Sequence, residues 1–333
     1  MGRAIMRSVP EDFVVREWPL AEASGDGEHL LVLLRKRGWT TPAAAGQLAR
    51  AFGVANGRVS YAGMKDRHAV TEQWLSIHVP GRGVPEPAAL PPGLELLQIR
   101  RHHRKLRRGA LRGNRFELRL RGVTATPKAL HRRLLAVAHR GVPNYFGSQR
   151  FGRDGDNTTR ALAWFRGEVS VANRRERGFL LSAARSAVFN AVLAERVAQD
   201  SWDQPVAGDR LMLDGRRSLF SASSEDGAVL AARMARSAVH ATGPLPGKPG
   251  QLPGDEPLPE VERRVLADHE SLVAGLRAAD VVADRRALRV PVRALAWSLG
   301  GDGQLRLRFD LPPGAYATTV LDQVLRLEDG SLT

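Results

Sequence analysis

Apolar residues in this chain recur with two periods, and each period predicts its own kind of element. Between 305 and 311, Leu305, Leu307, Phe309 and Leu311 are separated by Arg306, Arg308 and Asp310. Strict alternation of this kind predicts a strand with one buried face. NRFELRLRGV (114–123) repeats it, with Phe116, Leu118 and Leu120 on one side and Arg115, Glu117, Arg119 and Arg121 on the other. QWLSIHV (73–79) sets Leu75, Ile77 and Val79 against Trp74, Ser76 and His78. DFVV (12–15) and EHLLVLLRKR (28–37) read as two more strands, joined by the turn ASGDGEH.

The second period is helical. TPAAAGQLARAFGV (41–54) predicts a helix with Thr41 as its cap, Pro42 in the first turn and Gly53 as its stop. TPKALHRRLLAVAHR (126–140) opens the same way and puts Leu130, Leu134, Val137 and Ala138 on one stripe. LLSAARSAVFNAVLAERV (180–197) is apolar nearly all round, which predicts a buried helix. GPLPGKPGQLPGDEPLPE (243–260) reads as a Pro/Gly-rich surface connector, not a phosphate cradle. Sheet-forming segments at both ends of a helix-rich middle predict one mixed α/β domain interrupted by an insertion. No repeat of fixed period occurs.

The charge balance adds a partner class. Fifty Lys plus Arg face thirty-five Asp plus Glu, a formal net charge of +15, in a chain of 333 residues with an apolar fraction of 43%. Such a field attracts polyanions, and arginine grips phosphate through two parallel bonds. Nucleic acid is the leading partner, with an anionic membrane surface behind it. The chain has no cysteine, so disulfides, thiolate metal sites and cysteine nucleophiles are excluded. With neither a signal-peptide core nor a bilayer-length apolar run, a cytoplasmic protein is expected.

Candidate chemistry concentrates in three stretches. In YAGMKDRHAVTEQW (61–74) a lone acid, Asp66, stands between Lys65 and Arg67; an acid so placed is most often a surface ion pair. The run RRHHRKLRRGALRGNRF (100–116) is the densest charge in the chain and leads into a strand carrying Asn114 and Phe116. An amide and a ring one strand period apart share a face and suit an unstacked RNA base. Phe116 also continues the Leu118/Leu120 stripe, and pattern alone favours core packing for it. PNYFGSQRFGRDGDN (143–157) holds two Phe-Gly pairs with Asn144, Gln149, Arg150 and Arg153. It suits a ligand-lined loop or, equally, a turn held by its own side chains. Asp154 and Asp156 resemble the start of a calcium loop, but Thr159 and Phe165 stand where its glycine and glutamate belong. No phosphate-loop or nucleophile-elbow motif occurs, and the scattered histidines do not read as a metal site.

AGMKDRHAVTEQW, GNRF, GVPNYFGSQRFGRDGDN, LSAARSAVFNAVLAERV and LPPGAYATTV, in that order, together resemble the TruD-type tRNA pseudouridine synthases. PEDFVVRE and GDGEHLLVLLRKRGWTT extend the likeness to the N-terminus, so that it runs from about Pro10 to Val320. The resemblance implies an α+β pseudouridine-synthase-like catalytic domain with a central, mostly antiparallel sheet, over 1–139 and 291–333. A large family-specific α/β insertion domain would occupy 140–290. It implies action on uridine-13 of tRNA with neither metal nor other cofactor, no obligate protein partner, and a monomer. It makes Asp66 the catalytic carboxylate and sets Phe13, Asn114, Phe116 and Tyr316 around the uridine. Some members have Phe at the Tyr316 position. Arg7 falls where a lysine can occur, which makes it a further substrate-site candidate. The alternatives are a non-catalytic RNA-binding or RNA-chaperone protein on the same fold, and a membrane-surface binder. The membrane reading lacks a basic amphipathic helix.

Overall fold

The chain divides into two units, one built from Met1–Ala138 with Val292–Thr333 and the other from His139–Pro291. The computed structural model describes residues 1–81, 83–152, 154–250 and 257–332. In chain order the first unit begins with β1 (Arg3–Met6), β2 (Phe13–Pro19), β3 (His29–Arg37) and helix α1 (Thr41–Ala51). It continues with β4 (Val59–Tyr61), β5 (Val70–His78), β6 (Leu94–His102), β7 (Leu111–Leu120) and helix α2 (Pro127–Arg140). The second unit holds β8 (Val142–Pro143), α3 (Asn157–Phe165), α4 (Arg174–Ala198), β9 (Arg210–Leu213), β10 (Leu219–Ser221) and α5 (Gly227–Ala235). Then come β11 (Val239–Leu245), α6 (Glu260–Asp268), α7 (Glu270–Ala278), β12 (Asp284–Ala287) and β13 (Arg289–Val290). The first unit closes with β14 (Arg293–Leu299), β15 (Leu305–Leu311), α8 (Ala317–Leu321) and β16 (Arg326–Asp329).

The alternating segments of the first unit meet in one sheet, ordered β14-β15-β7-β2-β5-β3-β6, with β4 laid against β5. Every pair is antiparallel except β2 with β5. The mixed α+β class and the mostly antiparallel sheet expected from the sequence are therefore present. β2 and β3, neighbours along the chain, do not pair: β5 is inserted between them.

One face of the sheet is apolar. Leu30, Val32, Leu34, Leu75 and Ile77 pack on Ala44, Leu48 and Ala49 of α1. Farther along the same face Phe13, Val15, Phe116, Leu118, Leu120, Leu307 and Phe309 are buried. The other face carries a ladder of opposite charges across neighbouring strands. Arg16 meets Glu72 at 3.2 Å and also meets Glu117, while Arg35 reaches Glu72 at 3.0 Å and Glu95 at 2.8 Å. Each such pair is worth about 0.2–1 kcal/mol and keeps the strands in register.

Three local expectations need correcting. The cap of α1 is Thr40, whose hydroxyl accepts from the Ala43 N–H, and Thr41 is already helical and buried. Ala138 is exposed, since α2 buries only Leu130, Leu134 and Val137. The Pro/Gly connector is not loop throughout, because Gly243, Pro244 and Leu245 finish β11, paired with β12; residues 251–256 lie outside the described set.

The second unit has its own four-stranded antiparallel sheet, ordered β10-β9-β11-β12, and the 25-residue helix α4. α4 is buried along Leu180, Ala184, Val188, Phe189, Val192 and Leu193, as its composition predicts. No helix among the described residues is long and apolar enough to cross a membrane.

Candidate active site

The stretch 62–69 links β4 to β5, and buried polar groups hold its backbone. Thr41 Oγ1, freed from capping, accepts from the Lys65 N–H at 2.9 Å and donates to Gln73 Oε1 at 3.0 Å. Gln73 Nε2 donates in turn to the Gly63 carbonyl at 2.6 Å. The Lys36 ammonium donates to the carbonyls of Asp66 at 2.7 Å, Trp39 at 2.9 Å and Lys65 at 3.4 Å. A loop pinned at this many points presents its side chains in one arrangement.

At its apex Asp66 Oδ1 accepts from the His68 N–H at 3.0 Å, and Oδ2 pairs with Arg7 Nη2 at 2.8 Å. Among the described residues the cation on Asp66 is thus Arg7, and neither of the flanking cations Lys65 and Arg67. Lys65 turns inward to a buried ion pair with Glu17. Burial raises the Glu17 carboxyl above the usual carboxylate range, opposed by the charge and hydrogen bond of Lys65. Arg7 also binds Asp329 at 2.9 Å and lies 4.5 Å over the ring of Phe13.

From Phe13 the contacts continue into the sheet. Its ring meets Phe116 edge-on, with centroids 6.2 Å apart and planes at 81°. Phe116 stacks on Phe309 at 5.4 Å and stays only 6% exposed. Asp66, Arg7, Phe13 and Phe116 therefore form one chain of contacts. Asn114 sits one strand period from Phe116 and directly opposite Glu17 across the β7–β2 ladder. Its Oδ1 is buried without a hydrogen-bond partner among the described residues. An orphaned acceptor of this kind costs about 1–3 kcal/mol and calls for a donor. Tyr316 stands apart: it precedes α8, is 53% exposed and stacks on no other ring among the described residues.

Lys36, Glu17 and Gln73 did not stand out in the sequence and Thr41 did so only as a helix cap, yet two of the four carried a signal. Lys36 follows Leu30, Val32 and Leu34 on the buried parity of β3, and Glu17 follows Phe13 and Val15 on that of β2. A charge on an apolar stripe is either an error of parity or a buried group with a task.

The basic segment 103–110 is attached to this loop. Gly109 N–H donates to the Ala62 carbonyl at 2.7 Å, and Leu106 N–H to Ser76 Oγ at 2.9 Å. Arg108 lies 4.5 Å over the Tyr61 ring. Arg104, Lys105 and Arg107 are exposed and have no acidic partner among the described residues. In the second unit, Asn144 and Phe146 of the 143–157 stretch are tied to β12 and α4. Phe146 N–H donates to Asn190 Oδ1 at 2.9 Å, Asn190 Nδ2 returns a bond to the Phe146 carbonyl at 3.0 Å, and Arg286 lies 4.2 Å over the Phe146 ring. Asn144 Nδ2 donates to the Ala287 carbonyl at 2.7 Å. Arg153 lies outside the described residues.

Comparison with known proteins gives concordant findings. A family model described as tRNA pseudouridine synthase D (TruD) matches residues 2–172 and 159–324. The tRNA pseudouridine synthase D of Xanthomonas campestris pv. campestris (strain B100) is 48% identical over 334 residues, covering 96% of this chain and 90% of that protein. That of Hydrogenovibrio crunogenus (strain DSM 25203 / XCL-2) is 40% identical over 329 residues, covering 98% and 94%. A crystal structure of the putative tRNA pseudouridine synthase D of Methanosarcina mazei superimposes with a TM-score of 0.77 at 22% identity, covering 100% of this chain and 96% of that one. That likeness is one of fold.

Proposed function

The chain belongs to the tRNA pseudouridine synthase D (TruD) family, and from that premise we propose that it converts uridine-13 of tRNA to pseudouridine with Asp66 as the catalytic carboxylate. The reaction breaks the N1–C1′ bond, turns the base and joins C5 to C1′. One proton leaves C5 and one is gained at N1, so no oxidant, reductant or co-substrate enters. A single carboxylate, acting as nucleophile or base, suffices.

The observation that carries this reading is the chain of contacts Asp66–Arg7–Phe13–Phe116 beside the orphaned Asn114 acceptor. Arg7 and the His68 N–H each take one oxygen of Asp66 and so fix the carboxylate's direction. Asn114 Oδ1 is an acceptor for the N3–H of a uracil. Phe13 and Phe116 offer ring edges to a base drawn out of its stack, and the exposed Tyr316 is a third ring for it. Drawing the base out costs a few kcal/mol, and contacts with rings offset that at about 1–3 kcal/mol per stacked base. The exposed Arg104, Lys105 and Arg107, on a segment tied to the catalytic loop, supply contacts to RNA phosphates. In this assignment the first unit is the catalytic domain, the second is the family's insertion, and the enzyme acts on tRNA as a monomer.

The test is to incubate purified protein with unmodified tRNA transcripts and map pseudouridine at single-nucleotide resolution. Product at position 13 from the parent protein, and none from Asp66→Asn, is the expected result. Binding without product would favour a non-catalytic RNA-binding protein, and product elsewhere would overturn the assigned position.

A further inference from the structure

Lys36 is only 1% exposed and has no carboxylate within ion-pair distance among the described residues. Its three N–H donors go instead to three main-chain carbonyls, two of them on Lys65 and Asp66. Removing an ammonium from water without a paired anion is costly, and an apolar side chain of similar length would serve the core better. The charge therefore needs a reason beyond packing. Its place supplies one: it sits under the peptide of the residue that carries the carboxylate. Asp66 and Lys65 are the charged groups that act on it; Arg7 pairs with the Asp66 carboxylate, Glu17 pairs with Lys65, and the neutral Thr41 of α1 accepts from the Lys65 N–H.

We propose that Lys36 is a positioning residue for Asp66, its ammonium holding the Asp66 carbonyl so that the carboxylate meets the target uridine in one orientation. The proposal rests on the function proposed above. Lys36 touches no substrate; it acts through the Asp66 peptide and through its positive charge below the carboxylate. Burial, assisted by the charge of Lys65 and opposed by that of Asp66, pushes the Lys36 amine down to about 8. The support is thus withdrawn at mildly alkaline pH, when the ammonium loses its charge and one of its three donors.

The experiment compares wild type, Lys36→Met and Lys36→Arg in single-turnover assays at saturating enzyme across pH, beside tRNA affinity and amide hydrogen exchange. At pH 7, Lys36→Met should react about tenfold to a hundredfold more slowly, as expected for a misplaced catalytic group, with tRNA Kd within about threefold. The wild-type rate should fall as pH rises through about 8. That limb should be absent from Lys36→Met and from Lys36→Arg, whose guanidinium stays charged, with Arg faster than Met. Exchange at the 65–68 amides should quicken in Lys36→Met while β3 amides stay protected. A Lys36→Met rate within threefold of wild type, an unchanged alkaline limb, or a loss lying wholly in Kd would overturn the proposal. The exchange arm needs no turnover: unchanged exchange at 65–68 would sink the positioning role alone, whereas absent product from the parent protein would sink the function alone.

Discussion

Arg7 Nη2 lies 2.8 Å from Oδ2 of Asp66, joining a residue before the first long strand to one in the loop after β4. Arg7 holds a left-handed backbone, φ +59°, which a non-glycine residue adopts at some cost. Such a conformation persists where surrounding contacts over-determine it. Here the guanidinium is fixed by Asp66, by Asp329 at 2.9 Å and by the face of Phe13. The carboxylate is therefore aimed from outside its own loop.

Asp66→Asn should fold and bind tRNA but form no detectable pseudouridine. The amide is nearly isosteric, and the pair it weakens is part-exposed, so the stability change should stay within about 1 kcal/mol. The measurement is product formation beside urea denaturation. A rate within tenfold of wild type would correspond to a barrier change of only about 1.4 kcal/mol, too small for the essential group.

Phe116 and Leu118 lie on the same buried stripe, yet their substitutions should behave oppositely. Phe116→Leu keeps most of the apolar bulk and should cost under about 1.5 kcal/mol of stability. It removes the ring, so turnover should drop by about one to two decades if a base contacts it. Leu118→Ala should lose about 2–5 kcal/mol while its folded fraction stays active. Melting curves and activity per folded molecule separate the two, and matching behaviour would return Phe116 to the core.

Replacing Arg104, Lys105, Arg107 and Arg108 with Ser should weaken tRNA binding and flatten its dependence on salt. Every phosphate left without its cation should reduce the slope of log K against log salt by about 0.7–0.9. Arg108 also covers Tyr61, so a variant restricted to Arg104, Lys105 and Arg107 isolates the effect on RNA binding. Affinity and slope equal to the parent's would make this segment a solvated face.

Stability and activity should respond to alkaline pH in opposite directions. Lys36 titrates near 8 in the folded protein, below its ordinary 10.5. Between those values the unfolded chain holds a proton that the folded chain has shed, so the stability of wild type relative to Lys36→Met rises with pH across that window. Below about 8 both states are protonated and the cost of the buried charge is fully present. Urea denaturation of both proteins at several pH values checks the sign; a flat or falling difference would mean that no ammonium is buried there.

The sequence alone determined which faces are buried. Period-two alternation at 114–120 and 305–311, and the nearly all-round apolar character of the 180–197 helix, could be read directly because a one-sided sheet or a core helix tolerates few other patterns. It also carried the family likeness, because those motifs are local strings. What it did not determine was which distant segments meet. β5 inserts between β2 and β3 because the pairing is decided by the whole sheet, not by adjacency along the chain. Lys65 and Arg67 flank Asp66 in the sequence, yet the Lys65 side chain runs to Glu17 and the carboxylate pairs with Arg7. Thr40 takes the cap that Thr41 promised, which frees the Thr41 hydroxyl to hold the loop. Lys36 broke the apolar pattern of β3 in plain view, but its reason lies in the carbonyls of Trp39, Lys65 and Asp66, and only folding brings those to its amine.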